Sequence, residues 1–104
     1  LNLWDGGVLL ARYLESNPEK VRGKDILEIG SGCGLVGIAA AVCGGRNVVL
    51  TDLRYAMNHL KQNISYNMEK IDGAGCVEIK CMEFDWFKLP PPPIHAHLGF
   101  KSDI

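Results

Sequence analysis

Apolar positions along the chain follow two alternating spacings. Segments in which they recur every three or four residues predict amphipathic helices, and short apolar runs between glycines predict strands covered on both faces. Pro18 ends the first helix and Gly44-Gly45 is a helix C-cap signal, so backbone chemistry supports these boundaries. The predicted elements, in chain order, are a helix over Asp5–Asn17, a strand over Asp25–Ile29, a helix over Leu35–Cys43, a strand over Asn47–Thr51, a helix carrying Met57 to Ile71 and closing at Gly73, and a strand over Cys76–Cys81.

The order of these elements predicts an α/β fold. Strands that alternate with helices through right-handed crossovers form half of a doubly wound parallel sheet, with three α/β/α layers as in Rossmann-like domains. In the third strand, apolar Val77 and Ile79 alternate with polar Glu78 and Lys80, which predicts a place at the edge of the sheet. Ligands of such sheets bind at the carboxyl ends of the strands, so we expect the functional residues there.

Composition and charge argue against two classes of partner. The 104 residues are 47% hydrophobic and carry a formal net charge of -1, which is typical of a globular chain. The 11 Lys and Arg residues form no basic stripe, so we predict no nucleic-acid partner. The longest apolar run, Leu35–Cys43, is too short to cross a bilayer, so we predict no membrane role.

The spacing of cysteines and histidines predicts neither disulfides nor a metal site. The four cysteines at positions 33, 43, 76 and 81 form no Cys-x-x-Cys pair. This is expected of a protein from the reducing cytosol or nucleus. His95 and His97 have the spacing of a metal-binding pair but no third ligand beside them, so we predict that they hold no metal.

A glycine-rich turn between the first strand and the second helix, from Glu28 to Gly34, is the most informative segment. Glycines let a backbone turn tightly and approach a ligand, and the following helix offers free N–H groups. Gly32, Gly34 and Gly37 match the dinucleotide fingerprint. Glu28 with the glycines at 30, 32 and 34 instead matches the acidic-x-G-x-G-x-G pattern for S-adenosylmethionine. The Glu28 carboxylate favours S-adenosylmethionine, because it suits a cationic cofactor and would repel a pyrophosphate.

Carboxylates follow the second and third strands. Asp52 closes the second strand, where it can accept hydrogen bonds from the ribose hydroxyls of either cofactor. Alternatively, Asp52 only caps the helix that follows. Asp85 and Trp86 follow the third strand, where a carboxylate can accept the adenine amino hydrogens and an indole can pack on the purine. On residue pattern alone, core packing explains Trp86 equally well.

Several motifs together give the chain a family resemblance. They are Leu3-Trp4-Asp5-Gly6-Gly7, the segment from Gly23 to Gly37, Thr51-Asp52, Asn63, Asn67 and Asp85-Trp86. With these motifs the chain resembles methyltransferase family 16, the seven-strand, non-SET protein lysine methyltransferases of the methyltransferase-like 21 type. The resemblance implies a Rossmann-like class I methyltransferase fold, S-adenosylmethionine as the cofactor and a lysine of a protein as the substrate.

The resemblance also implies roles for single residues. It implies that Trp4 walls the cofactor pocket, that Gly30, Ser31 and Gly32 pass against the methionine part, that Asp52 binds the ribose and that Trp86 lies at the adenine. It identifies no catalytic base in this chain. The family's Asp-x-x-Tyr-like motif and later strands have no match in the sequence. Residues 1–104 are therefore expected to form the cofactor-binding part of a single methyltransferase domain that is incomplete at its C-terminus.

Two alternatives stay open on the sequence. A nicotinamide-dependent oxidoreductase fragment would use the fingerprint glycines at 32, 34 and 37 together with Asp52. A truncated, non-catalytic protein would bind cofactor weakly or bind a partner and would methylate nothing. The first alternative differs from a methyltransferase in the cofactor that it binds. The second differs in that no reaction follows binding.

Overall fold

The computed structural model describes residues 5–85 of the chain. Every predicted element is present there, and most bounds lie close to those predicted. The helices are α1 (Asp5–Ser16), α2 (Leu35–Val42), α3 (Met57–Tyr66) and α4 (Met68–Gly73), the strands are β1 (Asp25–Ile29), β2 (Asn47–Asp52) and β3 (Glu78–Glu83), and 3₁₀ turns lie at Pro18–Lys20 and Arg54–Ala56. Two differences from the predicted elements have physical causes, one at the start of β3 and one within the third helix.

β3 begins at Glu78 rather than at the predicted Cys76. The amides of Val77 and Glu78 both donate to the carbonyl of Arg46, at 2.7 and 3.3 Å, so the chain enters the sheet at this point. Glu78 then pairs with Asn47, the first residue of β2. The start of β3 is therefore set by its register against β2, which residue periodicity does not contain.

The predicted third helix is divided into α3 and α4 at Asn67. The Asn67 side chain donates through Nδ2 to the carbonyl of Asn63 at 2.7 Å, the acceptor that the Asn67 amide would use in a continuous helix. The Asn67 amide instead donates to the Ile64 carbonyl at 3.1 Å. A side chain that competes for the backbone acceptor thus ends α3 without interrupting the apolar periodicity.

The strands form one parallel sheet in the order β1-β2-β3. β2 lies in the centre, and its residues from Val48 to Thr51 are each no more than 1% exposed. Among the described residues β3 pairs with β2 alone, which confirms the edge position predicted from its alternation. Because all three strands are parallel, the segments that follow them emerge at one edge of the sheet.

Helices cover the face of the sheet that carries Ile26, Val48 and Leu50. α1 contacts α2, α2 contacts α4, and α4 contacts α3. Buried apolar side chains from these helices complete one core with the strands: Leu14, Ile38, Ala41, Leu60, Ile64 and Ile71. The predicted Rossmann-like α/β fold is confirmed, and residues 5–85 contain the sheet and the helical layer on this face.

α2 ends as its two glycines predicted. Gly44 has a φ of 103°, in the left-handed region where side chains other than glycine are strained. The Gly45 amide donates to the Ala40 carbonyl at 2.9 Å and the Gly44 amide donates to the Ala41 carbonyl at 3.1 Å. This pair of bonds is a Schellman motif, so the last carbonyls of α2 are satisfied and the chain turns directly into β2.

Three further properties concern residues 5–85. None of their helices combines the length and the apolar composition needed to cross a bilayer. All four cysteines are free thiols. Within the same range no group of three His, Cys, Asp or Glu side chains could hold a metal ion. His95 and His97 lie outside the described residues, so the absence of a metal there stays a prediction.

Candidate functional site

The predicted site residues within the described range gather at the carboxyl edge of the sheet. Glu28 lies near the end of β1, the glycine loop of residues 30–34 connects β1 to α2, and Asp52 ends β2. The Phe84 amide donates to the Asp52 carbonyl at 2.9 Å, which extends the pairing of β2 and β3 up to Asp85. The topology therefore brings together residues from three separate strand ends, as predicted.

The end of β2 is joined to the glycine loop by two hydrogen bonds and to the end of β1 by a third. The Ser31 amide donates to the Thr51 carbonyl at 2.8 Å. The Thr51 hydroxyl donates to the Glu28 carbonyl at 2.7 Å. The Gly32 amide donates to Oδ2 of Asp52 at 2.8 Å. These bonds fix the loop on the side that faces β2.

Asp52 uses both carboxylate oxygens. Its Oδ2 accepts from Gly32, and its Oδ1 accepts from the Leu53 amide at 2.7 Å. Leu53 is the N-cap residue of the 3₁₀ turn that follows and makes no side-chain cap bond, so the alternative in which Asp52 only caps a helix is not found. Each oxygen has a second lone pair, so Asp52 can still accept hydrogen bonds from a ligand.

The opposite side of the loop is open. Gly30 and Gly32 have φ values of 70° and 58°, and a Cβ atom placed on either glycine would meet no atom within 4 Å. Gly37 differs, because its Cβ would lie 2.7 Å from Cγ of Leu50 and 2.9 Å from Oε1 of Glu28. The first two glycines thus leave space for a ligand, whereas Gly37 lets α2 pack closely on the sheet.

Glu28 presents a half-buried carboxyl group beneath the first turn of α2. Burial raises the pKa of Glu28, and the negative charge of Asp52 adds to the rise, while the neighbouring Ser31 and the Gly37 amide offset part of it. Oε1 of Glu28 and Oγ of Ser31 are both buried, and neither makes a hydrogen bond of standard geometry among the described residues, although Ser31 and the Gly37 amide lie close to the Glu28 carboxyl group. Two buried polar atoms without a well-formed hydrogen bond mark a place where a polar ligand group would be stabilised.

A cavity of about 470 Å³ adjoins the loop between α1, β1 and α2. Glu28, Gly30, Ser31 and Gly32 line it on one side, and apolar side chains such as Leu14 line the rest. Its volume falls in the range of small-molecule pockets. Asp52 lies outside the lining, so the glycine loop separates the cavity from the ribose-binding carboxylate predicted from the sequence.

Most of the predicted site residues that the structure describes lie close to the glycine loop. Glu28, Ser31 and Asp52 meet at the loop, and Asp85 follows β3 half-buried at the same edge. The predicted contacts of Trp4 and Trp86 concern residues outside the described range.

Sequence reasoning named Thr51 and Asn63 among the family motifs but gave neither a role at this site. Both are polar groups at positions that face the core, since Thr51 is 1% exposed and Asn63 lies one turn after the buried Leu60. The Asn63 side chain donates to the Cys33 carbonyl of the loop at 2.6 Å. A polar residue on an otherwise apolar face was the available signal, because buried polar groups need partners.

Comparison with known proteins identifies the family. A family model described as "Lysine methyltransferase" matches residues 1–98. The chain belongs to the lysine methyltransferase family. This membership confirms the resemblance seen in the motifs, excludes the nicotinamide-dependent oxidoreductase, and confirms S-adenosylmethionine as the cofactor.

Curated relatives in this family match parts of the chain. The chain is 50% identical over 50 residues to the electron transfer flavoprotein beta subunit lysine methyltransferase of Rattus norvegicus, covering 48% of the chain and 20% of that protein. It is 42% identical over 66 residues to protein N-lysine methyltransferase METTL21A of Mus musculus, covering 64% of the chain and 30% of that protein. The chain thus spans less than a third of the length of these two relatives.

A solved structure agrees with this fold. Magnesium protoporphyrin IX methyltransferase from Synechocystis, solved with bound SAH, aligns with a TM-score of 0.60 at 17% identity. The alignment covers 82% of this chain and 36% of that protein. At this level of identity the similarity concerns the fold, which is the Rossmann-like arrangement of a methyltransferase.

Proposed function

We propose that the protein transfers a methyl group from S-adenosylmethionine to a lysine side chain of a protein substrate. The observation that carries the proposal is the glycine loop, held by Asp52 on one side and open on the other. The names of the lysine methyltransferases that the chain resembles support the choice of substrate. The family match to residues 1–98 supports the reaction type.

The residues at the loop fit this cofactor. The open faces of Gly30 and Gly32 leave room for its methionine part, and the buried carboxyl group of Glu28 can receive a positively charged group. The free lone pairs of Asp52 suit the two ribose hydroxyls. In this proposal Asp85, two residues after β3, accepts the adenine amino hydrogens.

The described residues act in the reaction by binding and orientation. S-adenosylmethionine supplies a methyl group activated by its positively charged sulfur. Hydrogen bonds from β2 hold the Ser31 and Gly32 amides of the loop, which lowers the reorganisation needed to receive the cofactor. A largely apolar cavity lies beside the loop. We assign no catalytic base among residues 5–85.

We further propose that the protein works in the cytosol or nucleus. The free thiols of all four cysteines are compatible with a reducing compartment, where disulfides are rare. Fluorescence microscopy of the tagged protein in its own cells tests this proposal, and a signal confined to a secretory compartment would contradict it.

Calorimetric titration tests the proposed cofactor site. The full chain is titrated with S-adenosylhomocysteine, the product form of the cofactor, and with NAD as a parallel control. Saturable binding of S-adenosylhomocysteine together with no binding of NAD is the expected result. Binding of NAD alone, or of neither compound by a chain with native circular dichroism, would refute the proposed site.

Methyl transfer is tested separately. The full chain is incubated with isotopically labelled S-adenosylmethionine and a cell extract, and labelled lysines are located by mass spectrometry. Label on lysine side chains supports the proposed reaction. Cofactor binding without any label on protein would instead support the non-catalytic alternative.

A further inference from the structure

The side chain of Asn63 connects α3 to the glycine loop. Its Nδ2 donates to the Cys33 carbonyl at 2.6 Å, and the side chain is partly buried. One turn earlier on the same face, Leu60 packs against Gly34, where an added Cβ would lie 3.0 Å from Cδ2 of Leu60. This face of α3 therefore lies directly on the loop, and Asn63 provides its polar contact.

The carbonyl that Asn63 holds belongs to a peptide group that directly precedes a glycine. The Cys33–Gly34 peptide is followed by Gly34, whose φ is 88°. Because glycine has access to both signs of φ, Gly34 itself does not fix the orientation of this peptide group. A hydrogen bond to its carbonyl selects one orientation, and peptide planarity then also fixes the direction of the Gly34 amide.

The fixed peptide group connects the loop to the start of α2. The Gly34 amide donates to the Ser31 carbonyl at 2.9 Å, and the Gly34 carbonyl accepts from Ile38 in the first turn of α2 at 2.8 Å. The orientation imposed by Asn63 is thus passed to Ser31, whose own amide is bonded to Thr51. Asn63 and Thr51 thus hold the two ends of the segment from Ser31 to Gly34. The open side of this segment is where the cofactor is proposed to bind.

Asn63 is itself held in place. Its backbone carbonyl accepts from Nδ2 of Asn67 at 2.7 Å, and this contact ends α3 directly after Tyr66. The buried Ile64 beside it anchors the same turn in the core. The amide group of Asn63 therefore projects from a fixed turn, which lowers the entropy lost in forming its bond to the loop.

We propose that Asn63 is a positioning residue for the cofactor, which acts by holding the Cys33–Gly34 peptide and hence the glycine loop in its receptive conformation. Asn63 does not touch the cofactor in this proposal. The inference rests on the proposed function, because the loop is taken to receive S-adenosylmethionine. A residue of this kind is expected to change affinity for the cofactor more than the stability of the fold.

The first test measures binding of S-adenosylhomocysteine to the full chain by calorimetry. Asn63→Ala removes the donor, and Asn63→Asp keeps the size while placing an acceptor against the Cys33 carbonyl. Asn58→Ala is the matched control, since Asn58 is an exposed asparagine of the same helix. One lost hydrogen bond predicts affinity about 3- to 10-fold weaker for Asn63→Ala. Asn63→Asp is expected to bind at least as weakly, and Asn58→Ala to bind as the unchanged protein does.

The second test needs no ligand. Amide hydrogen exchange in the ligand-free chain is expected to become faster in residues 32–34 of both Asn63 variants, with no change in β1 and β2. Unchanged loop exchange in both variants would overturn the proposal, and so would unchanged affinity. Faster exchange throughout the sheet in both variants would also overturn it, because Asn63 would then support the fold as a whole.

The two proposals fail in different ways. If the unaltered chain binds no S-adenosylhomocysteine, the proposed function fails, while the exchange comparison still decides whether Asn63 holds the loop. If the unaltered chain binds and both Asn63 variants bind equally well, the role of Asn63 fails and the proposed function stands.

Discussion

At the residue scale, Asp52 serves the protein and a ligand with one carboxylate. Its two oxygens already accept the Gly32 and Leu53 amides, so the side chain is oriented before any ligand arrives. The same oxygens have lone pairs left for the hydroxyls of a ribose. Removal of this carboxylate should therefore weaken binding both directly and through the loss of its bond to the loop.

Asp52→Ala in the full chain is expected to weaken binding of S-adenosylhomocysteine about 100-fold, the loss predicted for two hydrogen bonds to a charged group. Calorimetry measures the affinity. Asp72→Ala, at an exposed aspartate of α4, is the control and should bind normally. Equal affinities of the two variants would show that Asp52 does not contact the ligand.

Glu28 should make the affinity for the cofactor depend on pH. Because burial raises the pKa of Glu28, a bound cationic group, which favours the ionised form, should displace a proton. Affinity for S-adenosylhomocysteine, which carries an ammonium group, is expected to increase as the pH rises through the raised pKa. Glu28→Gln should flatten this increase. Calorimetry in buffers of different ionisation enthalpy measures the released proton, and equal release by both proteins would contradict the assignment.

The same raised pKa affects stability. The unfolded chain loses the Glu28 proton at a lower pH than the folded chain does, so the free energy of unfolding falls as the pH rises from the ordinary glutamate pKa towards the raised one. Glu28→Gln should remove this fall, which chemical denaturation at several pH values can show.

At the element scale, the close packing of α2 on β2 depends on Gly37. A Cβ atom there would lie 2.7 Å from Cγ of Leu50 and 2.9 Å from Oε1 of Glu28. Gly37 has no positive φ, so alanine would be hindered by this contact and not by its own backbone. A substitution at Gly37 therefore tests the packing of α2 on β2 without changing the turn geometry of the loop.

Gly37→Ala is expected to lower the free energy of unfolding by about 1–3 kcal/mol, the usual cost of overpacking a core. Gly73→Ala is the matched control, because Gly73 is also helical and its Cβ would meet no atom within 4 Å. That variant should be neutral, or more stable by at most about 1 kcal/mol. Urea denaturation of both variants measures the difference, and equal stability would show that α2 can shift away from β2.

At the scale of the whole molecule, stabilising charges and the functional site lie at opposite ends of the sheet. At the amino ends of the strands, Arg46 donates to the buried Asp25 at 2.9 and 2.6 Å, and Asn47 donates to it at 2.8 Å. Hydrogen bonds from Arg46 and Asn47 lower the pKa of Asp25, although burial opposes them. The stability that this lowered pKa contributes is present above the ordinary aspartate pKa and is lost as the pH falls through the lowered one.

Arg46→Ala is expected to lower the free energy of unfolding by about 1–3 kcal/mol, because it leaves a buried carboxylate with fewer partners. Acid unfolding should also begin at a higher pH. Affinity for S-adenosylhomocysteine should stay unchanged, since the site lies at the other end of the strands. Arg54→Ala is the control, because its ion pair with Glu83 is exposed and 3.9 Å long. Acid titration followed by circular dichroism measures both variants, and coincident curves would contradict the role of Arg46.

The sequence by itself determined the order of the elements and the location of the site. Periodicity, glycines with special φ values and Glu28 beside the loop are local signals, because they depend on residues close together in the chain. Only the tertiary structure decided the start of β3 and the bond between Asn63 and Cys33. These features depend on contacts between residues that are distant in the sequence. No local sequence pattern indicates which of those contacts form.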